Sequence, residues 1–494
     1  MTNTSNLNSV SSPGVYISEV TFGAIPQGLS LHNTVYFLVY SATADANTHD
    51  AFQYVNSLND FNNRYPASLS GKSVEAFFSE KPGMGCMVLN VKPRDTQSIE
   101  VSVATPAVVY SLTIDGFSVS HTATAADTVI TIREALGAKV NNVFTSVSYL
   151  DGFLRIRGTS VITTGSPEIT LGSLVENVVY PTAVDVRDSL EVLNTESPKG
   201  FLLAPEFFST PSLLTANYQL LVSYLESKAD EIGCVSIIDC SLVTATSPDL
   251  GIFGINAASE RAFLASPKGN SVYYAPYIKN NNDVLVPPSG CVAGVWLKRM
   301  RIEGFNQPPA GVSYPLVGVK GMSIDLNRGI QDTLNPLGIN LIRLIPNKGY
   351  CIWGARTLST NPYYRFVTTR VILNVLRDTL LRAYDELLFS SIDGLGVVFS
   401  RIQQTAITVC ERLRLGGALY GATPQDAYLC ICDTSNNTTE LNDGRVNLDV
   451  FVKVSPILEM LMITLRPTAI GVALGAASTG LTETQPESTT PTPS

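Results

Sequence analysis

Charge and histidine are scarce in this chain. Only 15% of its 494 residues are Asp, Glu, Lys or Arg, where about 25% is usual for a soluble globular protein. A chain so sparsely charged either buries much of its mass or shares its surface with partners. The three histidines, His32, His49 and His121, lie in the first quarter with no HExxH or HxH spacing. Zinc-hydrolase chemistry, which gathers imidazoles around one ion, is unsupported. There is no GxSxG, no GxxxxGK[ST] and no full GxGxxG; Gly394-Leu395-Gly396 is a lone fragment that reads as a turn. Positive charge is never concentrated. The densest basic run, Lys298-Arg299-Met300-Arg301, is followed by Glu303, and the net charge is −9. Direct nucleic-acid binding, which requires phosphate neutralisation, is not expected. No apolar run reaches about 18 residues, so no membrane-inserting helix is expected. The start, MTNTSNLNSV, lacks the charged and apolar regions of a signal peptide. The eight cysteines are dispersed; only Cys430 and Cys432 are close, with no second pair beside them. Buried free thiols are expected rather than a disulfide framework or structural zinc. No catalytic residue, metal site or cofactor is expected.

What is present is an alternation of apolar segments with helical ones. Thr34–Ser41 (TVYFLVYS), Met87–Val91, Gly200–Ala204, Cys234–Asp239 and Ser271–Tyr277 are nearly continuous apolar runs, as strands buried on both faces require. Between them lie helix candidates at 50–58, 72–78, 185–193, 212–228 and 258–264. Such a rhythm predicts a mostly parallel or mixed sheet flanked by helices. Asp239, ending a strand, stands where α/β enzymes often place a catalytic carboxylate; a helix cap or turn is the commoner use of that residue. Residues 96–180 differ: rich in Thr, Val, Ser and Gly, with Asp115-Gly116 and Asp151-Gly152 between β-prone runs, a strong hairpin signal. This block predicts a mainly β domain inserted into the α/β core, with one helix near 131–138.

Further on, 340–358 has strand character, Tyr364–Leu388 carries apolar residues at helical spacing, and Arg401–Leu415 forms a second helix stopped by Gly416-Gly417. Arg445–Val454 alternates as a strand should, and Glu459–Leu465 follows it. The expected organisation is 1–28 an arm and linker, 29–95 the first part of the α/β core, 96–180 the β insertion, 181–345 the core continued, 346–474 a C-terminal domain with terminal strands, and 475–494 a disordered Ser/Thr/Pro-rich tail. The fold class is thus α/β (α+β), a mixed sheet flanked by helices, with an inserted mainly-β domain and extended terminal arms.

Several segments together resemble contractile tail sheath proteins of myoviruses and related injection systems. They are Ser12-Pro13-Gly14-Val15-Tyr16 with Glu19, Pro287-Pro288-Ser289-Gly290, Pro309-Ala310-Gly311, the run Trp353-Gly354-Ala355-Arg356-Thr357-Leu358, Tyr363-Tyr364-Arg365-Phe366-Val367, and Gly417-Ala418-Leu419-Tyr420-Gly421 feeding Asp426-Ala427-Tyr428. They span about 12–40 and 270–470, in the family's order. Ser390-Ser391-Ile392-Asp393 departs from the Glu-Pro-Asn that many relatives carry there.

The resemblance implies a structural subunit, not an enzyme. It would polymerise with itself as stacked six-subunit rings around an inner tail tube, capped by baseplate and tail terminator proteins. A metastable extended lattice would contract and drive the tube through a target envelope. The chain would belong to a virion, made in the host cytoplasm, or to a non-viral injection system with the same mechanics. It also implies that residues 96–180 form an outer domain. Intersubunit strands would be supplied by Val15, Tyr16, Ile17 and Val20 at one end and by Val446, Leu448, Val450, Leu461 and Ile463 at the other, through strand addition; closing the chain's own sheet is the plainer alternative. Arg370, Arg377, Arg382 and Arg401 would face the tube, or simply line a solvated helix face. An α/β enzyme using Asp239, or a surface-binding protein using 96–180, are the readings from other classes.

Overall fold

The computed structural model describes residues 28–463, apart from 45–47, 50, 92–95, 115, 142–146, 151–152, 158–161, 176–180, 182, 210–215, 393–395 and 438–443. In chain order the first elements are β1 (His32–Val39), β2 (Gln53–Val55), α1 (Leu58–Arg64), α2 (Gly71–Ser79) and β3 (Cys86–Asn90). Then come β4 (Thr96–Val101), β5 (Val109–Ile114), β6 (Phe117–Thr122), α3 (Val129–Asn141), β7 (Val147–Leu150), β8 (Phe153–Arg157), β9 (Ile162–Thr164) and β10 (Ile169–Val175). Next are α4 (Ala183–Leu190), β11 (Lys199–Leu203), α5 (Ala216–Ile232), β12 (Val235–Asp239), α6 (Leu242–Ala245), α7 (Leu250–Ala262), β13 (Ser271–Ala275), β14 (Ile278–Asn280), β15 (Leu285–Val286) and α8 (Ser289–Glu303). The last are β16 (Val319–Met322), α9 (Arg328–Leu334), β17 (Ile339–Ile345), β18 (Gly349–Ile352), α10 (Val367–Tyr384), α11 (Val397–Leu415), α12 (Pro424–Ala427), β19 (Tyr428–Ile431) and β20 (Asp449–Val452).

An eight-stranded sheet, ordered β18-β17-β13-β12-β11-β1-β3-β2, organises the core. The six inner strands run parallel, and β18 and β2 add antiparallel edges. The mixed sheet flanked by helices is the architecture expected from the apolar runs. Alternate residues of each inner strand serve opposite faces. Tyr36, Leu38, Leu202, Ile238, Tyr273 and Leu341 face α4, α5 and α7 in one hydrophobic cluster. On the other side α8 packs on β1, β11 and β12, with α2 against it.

The α2–α8 contact depends on glycine. A Cβ on Gly290 would sit 2.2 Å from the Ser73 carbonyl oxygen, and one on Gly294 2.7 Å from that of Phe77. α2 begins at a buried carboxylate: Glu206 accepts from the Ser73 backbone N–H (3.0 Å) and hydroxyl (2.7 Å) in its first turn. Glu80, fully buried where α2 ends, accepts from the Val317 N–H at 2.6 Å.

Residues 96–175 form a four-stranded antiparallel sheet (β10-β4-β8-β7) and a three-stranded one (β6-β5-β9). They have their own core, in which Ile99, Tyr110, Leu112 and Ile114 meet Ile132 and Leu136 of α3. β5 pairs antiparallel with β6 and β7 with β8; the Asp115 and Asp151-Gly152 positions expected to turn lie outside the described residues.

One expectation fails here. The helix foreseen at 50–58 is replaced by β2 and α1, because β3 offers an edge that Gln53–Val55 completes. The strand character of 340–358 is realised as β17 and β18, one hairpin of the main sheet. The chain through Pro456 is one compact unit and 457–494 a second.

Burial pushes the Glu206 carboxyl up to about 7 and that of Glu80 up to about 8. Each keeps its proton in the folded chain where the unfolded chain has lost it, so the folded state binds more protons and stability falls as pH rises. The loss runs from the ordinary carboxyl value of 4.5 to about 8. The urea midpoint should therefore drop between about pH 5 and about pH 8, and Glu206→Gln should flatten the drop. A midpoint that climbs across this interval would contradict the assignment.

Candidate interaction surfaces

Asp239 ends β12 with its side chain fully buried. Oδ1 accepts from the Ser289 backbone N–H at 2.7 Å and Oδ2 from the Ser289 hydroxyl at 2.6 Å. Burial holds its carboxyl well above the usual range. The group satisfies the start of α8, the capping role rather than that of a pocket acid. Among the described residues no three His, Cys, Asp or Glu side chains gather as a metal site would require. All eight cysteines are buried free thiols.

The segment Trp353-Gly354-Ala355-Arg356 carries the chain off β18 toward α10, and it is wired to one buried side chain, Asn340 of β17. Asn340 Oδ1 accepts from the Arg356 N–H (2.7 Å), and its Nδ2 donates to the carbonyls of Arg356 (2.7 Å) and Tyr273 (3.1 Å). Gly354 is required because a Cβ there would lie 2.7 Å from Asn340 Oδ1. The Trp353 N–H donates to Leu341 O, and the Val367 N–H, opening α10, donates to Ala355 O. Arg356 Nη1 donates to Asn335 O at 3.0 Å. These residues are an architectural junction, and Arg356 also borders a surface cleft.

The four arginines foreseen on a partner-facing surface have different fates. Arg370 is buried, with 9% of its surface exposed. Its guanidinium lies 5.8 Å from the Tyr364 ring centre and donates to Lys268 O. Arg377 donates to the carbonyls of Asp230 and Glu231, both at 3.3 Å, and so closes the C-terminal turn of α5. The two share a face, as their spacing predicted: Arg370 is buried there against the chain's own residues, while Arg377 stays exposed. Arg382 pairs with Asp378 at 3.0 Å and keeps 55% of its side chain exposed. Arg401, half-buried on α11, has no acceptor at Nε among the described residues.

Asp378 itself had no signal in the sequence beyond its place on α10. It accepts from the Ser30 hydroxyl, and the Ser30 N–H donates to Thr379 Oγ1 at 2.9 Å. The chain entering β1 is thereby fixed to α10.

Of the strand candidates, Val15, Tyr16, Ile17 and Val20 lie outside the described residues. At the other end, Val446 and Leu448 precede β20 rather than belonging to it, and Val450 lies within it, opposite Cys430 of β19. So β20 closes a sheet of the chain's own. That sheet has only two strands, fewer than are usually stable alone. Leu461 and Ile463 are in no strand of this chain. They belong to an exposed apolar run: Leu458 80%, Met460 71%, Leu461 72%, Met462 93% and Ile463 71%.

No protein-family model matches this sequence, and no curated protein does. Solved structures do match. A sheath complex of an extracellular contractile injection system (PVC), in the contracted state, aligns with TM-score 0.59 at 16% identity over 93% of this chain and 98% of that one. The helical sheath of the anti-feeding prophage (AFP), also contracted, aligns with TM-score 0.60 at 17% identity over 93% of this chain and 100% of that one. A chain of the AFP baseplate aligns with TM-score 0.56 at 17% identity, again over 93% of this chain.

Replacing Asn340 by alanine removes three buried hydrogen bonds and strands their backbone partners, and should cost about 3 kcal/mol in urea unfolding. Arg382→Ala, at an exposed pair, should cost less than about 1 kcal/mol. The reverse order would refute the junction role of Asn340.

Proposed function

We propose that this chain, which has the fold of contractile sheath subunits, is itself the subunit of a contractile sheath: a structural protein that acts as a helical polymer around an inner tube, with no catalytic site or cofactor. The observation that carries this reading is the extent of the likeness. It covers 93% of this chain and 98% and 100% of two solved sheath chains.

In this reading, connectivity is kept while subunits move because extended arms add strands to neighbouring sheets. The exposed run Leu458–Ile463 is apolar and has no strand partner among the described residues; the N-terminal segment with Val15–Val20 is the second arm. The two-stranded β19–β20 sheet supplies open edges to receive them. Arg382 and Arg401, less committed internally than Arg370 and Arg377, are the better candidates for gripping the tube. Single exposed pairs are weak, but many repeated ones can hold a polymer and release together. Contraction draws on new intersubunit burial and charge pairing, not on nucleotide hydrolysis. Residues 96–175, with a core of their own, form the outer face. Tube, baseplate and terminator proteins are the partners, in a phage tail assembled in the host cytoplasm. The named solved sheaths favour a second setting, a non-viral injection particle.

Negative-stain microscopy of the purified protein, alone and with tube protein, should reveal long hollow helical tubes; a strict monomer at high concentration would defeat the reading. Deleting residues 1–22 should abolish polymers yet leave a folded monomer, and unchanged polymers would remove the N-terminal arm from the mechanism.

A further inference from the structure

The residues flanking α10 carry charge of the sign a helix end disfavours, although Arg382 inside its last turn has the favoured sign and is paired with Asp378. A helix has positive partial charge at its N-terminus and negative at its C-terminus, so cations suit the end and anions the start. Here exposed Arg365 stands two residues before α10 begins, and exposed Asp385 and Glu386 follow directly where it stops. Arg365 has no carboxylate partner among the described residues, and neither Asp385 nor Glu386 has a basic one. This arrangement costs stability within one chain and calls for a compensating contact.

Each end also has a shape. Before α10, Arg365 lines a cleft of about 430 Å³ with Arg261, Arg356, Pro336, Leu337 and Ala262. No carboxylate lines it among the described residues. The three guanidinium nitrogens of Arg261 donate to the carbonyls of Leu337, Leu264 and Leu358, so its position is fixed while its charge is left uncompensated by these neutral acceptors. Leu337 exposes 39% of its surface there. After α10, the acidic pair is followed by Leu388, 64% exposed, and Phe389, fully exposed at 106% and held at φ +66°. A left-handed aromatic residue is uncommon, and one standing in solvent gains nothing from its own fold.

We propose that the acidic-apolar knob at Asp385–Phe389 docks into the arginine-lined cleft of a second copy of this chain. The cleft and knob lie at opposite ends of one 18-residue helix, about 27 Å apart at 1.5 Å per residue, so they cannot meet within one molecule. Between molecules they match in charge and in apolar content, and they bring the negative end of one α10 toward the positive end of the next. A contact joining different patches on identical chains is heterologous and propagates into rings or open helical polymers. The inference rests on the sheath reading and adds a specific joint to it, separate from the terminal arms.

The test is charge reversal, read as the threshold concentration for polymerisation by light scattering and sedimentation. Arg365→Glu alone, and Asp385→Lys with Glu386→Lys, should each raise the threshold about tenfold or more. Combining all three should return it to within about threefold of the original chain. These side chains are exposed, so unchanged thermal unfolding should accompany the shift. A second measurement avoids reliance on reversal: Arg365→Cys chains mixed with Phe389→Cys chains should form a covalent dimer under mild oxidation, since the native cysteines are all buried. If the original chain polymerises but the reversals leave the threshold unmoved, or no dimer forms, this joint is overturned and the sheath reading stands. If the original chain never polymerises, with or without tube protein, both are overturned.

Discussion

A helix buried from its first residue cannot take its opening hydrogen bonds from water, and α8 is such a helix: Ser289 through Leu297 are all buried. Something in the protein must meet its N-terminus, and Asp239 does so from the carboxyl end of a parallel strand. The consequences spread outward. Because α8 starts there, it lies under β1, β11 and β12, and α2 can approach it only over Gly290 and Gly294. Because α2 is pressed so close, Ser73 in its first turn is buried and is met by Glu206 in the same manner. Two buried acids thus hold two helices against one sheet face, at the cost of desolvation that ties the fold to its protons.

The sequence revealed the sheet because buried parallel strands leave nearly unbroken apolar runs, and it revealed the two hairpins of the insertion because Asp-Gly pairs admit few other backbones. It could not reveal β2: Gln53–Val55 has no pattern of its own and is a strand only because β3 has an edge to offer. The same limit applied to the surfaces. Spacing placed Arg370 and Arg377 on one face of α10, correctly. Periodicity does not say what lies opposite a face: Arg370 is buried against Lys268 and Tyr364, while Arg377, bonded to the end of α5, stays exposed. The alternation of Arg445–Val454 was legible, but its pairing begins only at Asp449: Asp449–Val452 pairs with β19, and Val454 bridges Leu419. Asn340 was invisible, since a buried carboxamide in a strand looks like any polar residue until its three partners are known.

In the proposed polymer the contacts would be of different kinds. Backbone edges and the exposed run near the C-terminus would offer strand pairing, tolerant of bending. The ends of α10 would offer side-chain charge, directional and easily released. A polymer that stays connected while its geometry changes would have use for both: the first would set which chains remain neighbours, and the second how they are oriented at a given moment.

In the insertion, Thr96 of β4 pairs directly with Val175 of β10. The polypeptide therefore leaves the main body and returns to it through adjacent strands, with the intervening residues closed around a core of their own. Such a module is an exchangeable cassette. Its loops can diversify under selection, or be swapped for a foreign domain whose termini lie equally near each other, without disturbing the sheet that carries it. A particle assembled from many copies would then become a dense, regularly spaced display scaffold.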